Sequence, residues 1–322
     1  MKLLQLLIGA ALAIALVPVA HAQQDFPNRP VRIIVPFPPG ALTDAMARLL
    51  ATRLAETWKQ PVVVENKAGA SGMIGTEYVF RAPPDGYTLL FTPKEPLVLA
   101  KLRMSNLGFD PAALSPVSIV TRSTVVMLAS PNVPAQTLPQ LIAYAAANPG
   151  VLNYASPGTG SNAELASDLF GYLTKTKGTN VPYQGIAPAT TALLAGQVDI
   201  LFDAMGNALP NIRAGRLRAL GIAAEKRNPA LPDVPTVAEY VPGFSSSIWT
   251  GMAAPPKTPQ PIVDKIAADI AQALKHPDFV ARIASTSGLE AAGTSPAEMR
   301  QTMNEESERW AAVIRKTTRE SE

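Results

Sequence analysis

VPFPPGALTDAMARLLA, residues 35–51, runs from an apolar strand through prolines and a glycine straight into a helical stripe. Its first half completes a strand pattern from Val31 to Pro36 that is apolar except at Arg32. In its second half Met46, Leu49, Leu50, Leu54 and Trp58 fall on one helix face, followed by a second strand at Pro61 to Glu65. Strand, tight turn, helix and strand in that order predict α/β architecture with mostly parallel strands. The turn lies where the strand's carboxyl end meets the helix's positive end, which is where small anions bind.

The same rhythm continues along the chain. Further strands are expected at Tyr87 to Thr92, Val151 to Ser156, Val198 to Asp203, Ala219 to Ala223 and Ile248 to Ala254. The mostly apolar run Val117 to Ala129 exceeds ordinary strand length and predicts one strand passing between two domains. Capping-box spacing marks helix starts at Thr137/Gln140, Ser161/Glu164 and Ser295/Glu298. Core stripes are expected from Ile262, Ile266, Ile270 and Leu274, and from Met299, Met303, Trp310 and Ile314.

Two further joints resemble the first in composition: Gly69 to Gly75 and Ser156 to Ser161. None ends in the Gly-Lys-Ser/Thr of a phosphate loop or has dinucleotide-binding spacing. Met73 stands where a nucleophile elbow requires glycine. A carboxylate, which needs only a few backbone donors and no metal, fits such joints better.

Composition narrows the chemistry. Lys2, an apolar run from Leu3 to Val17, Pro18 and Ala20-His21-Ala22 form a secretory signal pattern, residues 1–22, predicting a mature chain that begins at Gln23 and resides in the periplasm. The 322-residue chain contains no cysteine, and after processing His276 is its remaining histidine. Thiolate chemistry and multi-histidine metal sites are thereby excluded, and no cofactor is expected. His276 is expected at a helix end, where the helix dipole favours it. A net charge of +3 without a run of Lys or Arg gives no footprint for nucleic acid.

The chain resembles the substrate-binding proteins of tripartite tricarboxylate transporters, which include the Bug proteins. The resemblance is carried by Pro27 to Val31, VPFPPG with Thr43 and Asp44, VVVENKAGASGMIG (62–75), PPDGYTLL (83–90) and LNYASPGTGS (152–161). It continues through VPYQGIAPATTALLAGQVDILFD (181–203), AGRLRALGIA (214–223) and PALPDVPTVAE (229–239). It implies a type II periplasmic binding fold, with residues 23–125 and 248–322 in one domain and 126–247 in the other. Such a protein closes on a small carboxylate and delivers it, as a monomer, to a large and a small membrane subunit. Carried onto this sequence, the ligand neighbours are Phe37, Pro38, Gly40, Ala41, Leu42, Thr43 and Asp44, with Ser156, Gly158, Thr159, Gly160 and Ser161, and Ala187 and Asp203 nearby. The chain departs from the family pattern at Ala41 and Leu42, at Thr92 to Pro96 and at Glu164. Lys94, at the end of a strand, is expected to face the ligand and favour a dicarboxylate with an apolar or aromatic body. Glu164 is expected to cap its own helix. An exported lyase or hydrolase using Asp44 or Asp203 as base, and a ligand-sensing partner, are the alternative functions.

Overall fold

The computed structural model describes residues 26–40, 42–103, 107–158, 161–285 and 289–319. The expected signal sequence, Ala41, Thr159 and Gly160 lie outside the described residues.

The strands are β1 (Val31–Val35), β2 (Val62–Asn66), β3 (Thr88–Pro93), β4 (Ser115–Ser123), β5 (Val125–Ala129), β6 (Leu152–Ser156), β7 (Gly178–Pro182), β8 (Ile200–Ala204), β9 (Arg218–Ile222), β10 (Ile248–Ala254) and β11 (Leu289–Ala291). They form two sheets, ordered β11-β4-β10-β3-β1-β2 and β7-β6-β8-β5-β9. Both are mixed. β1 pairs in parallel with β2 and β3, and β6 with β7 and β8, as strands joined through helices must. β10 and β5, which enter their sheets from the other one, pair antiparallel on both sides. Antiparallel pairing is therefore more extensive than strand–helix alternation predicts.

The chain passes between the sheets at Thr124. The expected single strand is two, because the Thr124 carbonyl leaves the ladder and accepts from Met205 N at 2.8 Å, while its hydroxyl accepts from Asn228 Nδ2. The chain returns just before β10, where Ser246 N donates to Ala223 O.

Helices α1 (Leu42–Trp58), α2 (Met73–Phe80), α3 (Leu138–Ala147), α4 (Asn162–Thr174), α5 (Ile186–Leu194), α6 (Met205–Arg213), α7 (Gln260–Ala273), α8 (Pro277–Ser285) and α9 (Pro296–Arg319) flank the sheets. On α1, Met46, Leu50, Leu54 and Trp58 are buried with Val31, Ile33 and Val35 of β1, and Trp58 Nε1 reaches Asp269 of α7 at 2.6 Å. Burying a side chain such as Leu50 stabilises the fold by about 1.5–3 kcal/mol. Met299, Met303 and Trp310 bury the expected α9 stripe, although Val313 is more buried there than Ile314. His276 lies between α7 and α8, with its imidazole against Arg53 and the Asp278 N–H, in an ordinary structural role.

Candidate functional site

All the parallel strands that feed helices point their carboxyl ends at one cleft between the sheets, with a volume of about 730 Å³. Phe37, Ser71 and Met73 line it from the first two joints, and Pro93 to Pro96 contribute Pro93, Glu95 and Pro96. Opposite stand Gly158, Ser161, Asn162 and Ala163, together with Ile186, Phe202, Asp203 and Asn207. The apolar residues provide the body of the cleft and the joints provide its polar ends.

The third joint forms a helix N-terminus. Ser161 caps α4 by accepting from Glu164 N at 3.3 Å, and its own N–H goes to Gly158 O. The expected reciprocal bond from Glu164 is absent from that N–H, because the carboxylate turns instead to Asn180 Nδ2. Asn162 and Ala163, the first two residues of α4, therefore face the cleft at the positive end of the helix. Asn162 Nδ2 has no hydrogen-bond partner among the described residues, and neither does the fully buried Ser156 Oγ just beneath the joint. Each such orphan costs about 1–3 kcal/mol unless a ligand or solvent satisfies it.

The second joint is strained. Ala70, Ser71 and Gly72 have φ values of 46°, 53° and 91°, so three successive residues, two of them with side chains, adopt left-handed backbone. Such conformations persist where neighbouring structure enforces them, typically at ligand clamps.

Two aspartates behave in opposite ways. Asp44 is buried at the start of α1, where Arg48, Gly40 N and Asn66 Nδ2 all donate to it. The Arg48 hydrogen bond and these N–H donors hold its carboxyl at about 2, outweighing desolvation. Both its oxygens are engaged in fastening the first joint, and it does not line the cleft. Asp203 faces the cleft while 4 % exposed. Its Oδ1 accepts from Ala204 N and Asn207 Nδ2, but Oδ2 has no hydrogen-bond partner among the described residues, and burial pushes the carboxyl up to about 6.

Lys94 corrects an expectation from the sequence. Its side chain is fully buried beneath α9, with Nζ 2.9 Å from Glu306 Oε2 and 2.5 Å from Ser247 O, over the Trp310 ring. Glu306 is held in turn by Trp249 Nε1 and Ser247 Oγ. The ammonium therefore has a partner in the core and is not at the cleft rim. Glu95 lines the cleft instead. It opens a π-helical turn, Glu95–Leu99, and burial pushes its carboxyl up against the pull of Lys94.

The cleft thus gathers Phe37, Gly158, Ser161 and Asp203 from the expected residues, with Ser156 underneath. Pro38 and Gly40 are exposed, Leu42 is 49 % exposed, and Thr43 and Ala187 lie off the cleft wall, where Ile186 takes the place of Ala187. Sequence reasoning did not single out Glu95, Asn162, Asn207 or Phe202 as ligand neighbours. Asn162 carried a usable signal, since it immediately follows the capping serine.

The description of one protein family, the tripartite tricarboxylate transporter family receptor, fits residues 46–318. Among solved structures, an R. palustris protein with adipate is 34% identical with a TM-score of 0.74, covering 90% of this chain and 98% of its own. MatC from Rhodopseudomonas palustris with bound malate is 36% identical with a TM-score of 0.72, covering 90% of this chain and 100% of its own. The periplasmic binding protein BugD is 33% identical with a TM-score of 0.70, covering 90% and 98%.

Proposed function

Because the chain belongs to the receptor family of tripartite tricarboxylate transporters, whose members bind solutes rather than transform them, we propose that it captures a small carboxylate with an apolar body and hands it to the large and small membrane subunits of such a transporter. The observation that carries this reading is the start of α4. Two N-terminal residues of a helix, a cap already in place and an Asn162 Nδ2 without a partner among the described residues open onto a cleft with apolar walls. A carboxylate there satisfies orphan donors and the helix dipole together. The adipate and malate bound to two relatives support the same ligand class. Phe37, Gly158, Ser161 and Asp203 are the ligand's neighbours in this reading. The lobes are residues 23–125 with 248–322, and 126–247, and the protein acts as an exported monomer processed to begin at Gln23.

Native mass spectrometry of protein purified from its periplasm without refolding tests the proposal. It should show a one-to-one adduct whose released mass is a carboxylic acid, unchanged after prolonged incubation. A released compound without a carboxyl group, or conversion of the acid into product, overturns it. N-terminal sequencing of the same material should read from Gln23, and an intact Met1 refutes export by cleavage.

A further inference from the structure

The charge inventory of the cleft runs against a second acid on the ligand. Its wall carries two carboxylates, Glu95 on the first lobe and Asp203 on the second, and no Lys or Arg among the described residues that line it. Cations near the joints are engaged elsewhere: Lys67, just before the second joint, has Nζ 4.3 Å from the centroid of the Tyr78 ring. Lys94 pairs with Glu306 beneath α9, and Arg48 pairs with Asp44 on the outside of the first joint. On the cleft wall itself positive potential comes from helix termini, and the α4 terminus suits one carboxylate. A distal carboxylate would face Glu95 or Asp203 in the cleft, where like charges repel.

Three observations mark the two acids as ligand groups rather than bystanders. Asp203 is 96 % buried, since it is 4 % exposed, and Oδ2 has no hydrogen-bond partner among the described residues although Oδ1 has two. Glu95 lines the cleft, and no side-chain donor of another described residue is bonded to its carboxylate. It also sits on the first residue of a π-helical turn, a costly deformation that recurs at functional sites. In this turn the one-residue offset between Lys94 and Glu95 sends the cation into the core and the anion to the cleft.

We propose that the cargo is a zwitterion, a carboxylate that also carries an ammonium or another cationic N–H donor, and that Glu95 is the residue selecting that donor, with Asp203 opposite it. The inference rests on the carboxylate-capture reading and deepens it. A net-neutral ligand of this kind matches both ends of the site, and its cation, held between residues of the two lobes, favours the closed cleft.

The test uses matched triads that differ only at the distal group: adipate, 6-aminohexanoate and hexanoate; succinate, 4-aminobutanoate and butanoate; terephthalate, 4-(aminomethyl)benzoate and 4-methylbenzoate. Affinities are measured by calorimetry at about pH 7.5 on the full mature chain, stripped of ligand, as wild type and as Glu95→Gln and Asp203→Asn. In at least one triad the amino acid should bind about tenfold or more tighter than its diacid. Glu95→Gln should reduce that preference to about twofold, with folding checked by its thermal transition. Asp203→Asn should erode the preference in the same direction, and so stands in if the glutamine variant fails to fold. A diacid that binds as tightly as its amino acid, with the ratio unchanged in both variants, overturns the inference but leaves carboxylate capture standing. A diacid bound with uptake of a proton does the same, because it identifies Glu95 as a neutral donor to a second acid. Silence from all nine compounds also overturns it, while the co-purified acid judges capture independently.

Discussion

The carboxylate of Asp203 should destabilise the ligand-free protein, and Asp203→Asn should relieve that cost. Burial raises its pKa from 3.8 to about 6. A rise of that size corresponds to about 3 kcal/mol between protonation states. Since the folded-state value is the higher one, the cost is absent below about pH 4, where both states are protonated. It grows as the unfolded chain ionises first and is fully present above about pH 6. Asparagine retains the Oδ1 acceptor used by Ala204 N and Asn207 Nδ2 and carries no charge at any pH. The variant should therefore exceed wild type by up to about 3 kcal/mol at about pH 8, with the gap closing towards pH 4. Urea unfolding of both proteins, followed by tryptophan fluorescence across that range, measures it, and other titrating groups cancel in the difference. A variant that is less stable at high pH, or a gap that does not vary with pH, refutes the argument that Asp203 is an uncompensated buried acid.

The remaining predictions concern the charges that the fold has already paired. Glu306→Ala leaves the Lys94 ammonium buried without its partner and should cost about 3–5 kcal/mol in urea unfolding, whereas Lys94→Met with Glu306→Leu should recover most of that loss. Lys94→Met should alter affinity for any bound acid by less than about twofold, because the ammonium faces the core, and a loss confined to diacids would return it to the cleft. Asp44→Asn should cost about 1–2 kcal/mol at neutral pH, discounted for the half-exposed Arg48. That stabilisation is full above the unfolded-state value of 3.8 and lost as pH falls towards about 2, which acid titration of wild type against variant reads out. Glu164→Gln should lower the melting temperature slightly and leave affinity nearly unchanged, as its carboxylate turns towards Asn180 on the second lobe.

The parts of the fold legible in the sequence were those governed by local chemistry. Prolines and a glycine between Val35 and Leu42, the α1 stripe and the caps at Thr137, Ser161 and Ser295 each act within a few residues, and each appears in the structure. β7 and β11 escaped notice because they are short, largely exposed edge strands with no apolar face to produce periodicity. The break at Thr124 did leave a local signal, the polar stretch Thr121-Arg122-Ser123-Thr124 inside the run from Val117 to Ala129, which its overall apolar character masked. Which of those polar residues carries the crossing is decided by the distant Met205 N–H and Asn228 amide, which both bond to Thr124.

The Lys94–Glu95 turn shows the same limit at the site itself. Both residues follow β3, and a lysine beside a glutamate reads locally as a surface pair or as a cation offered to an anion. Their directions are decided by Glu306, 212 positions further along the chain, whose carboxylate is already oriented by Trp249 and Ser247. Once that acid holds the ammonium in the core, the π-helical turn presents its neighbour to the cleft, and the site's charge changes sign without a change in sequence. A binding specificity that depends on such a pairing is therefore set as much by the helix behind the sheet as by the residues lining the cleft. Substitutions on the inner face of α9 should thus be able to redirect Lys94 and convert an acid-lined cleft into one that accepts a second carboxylate.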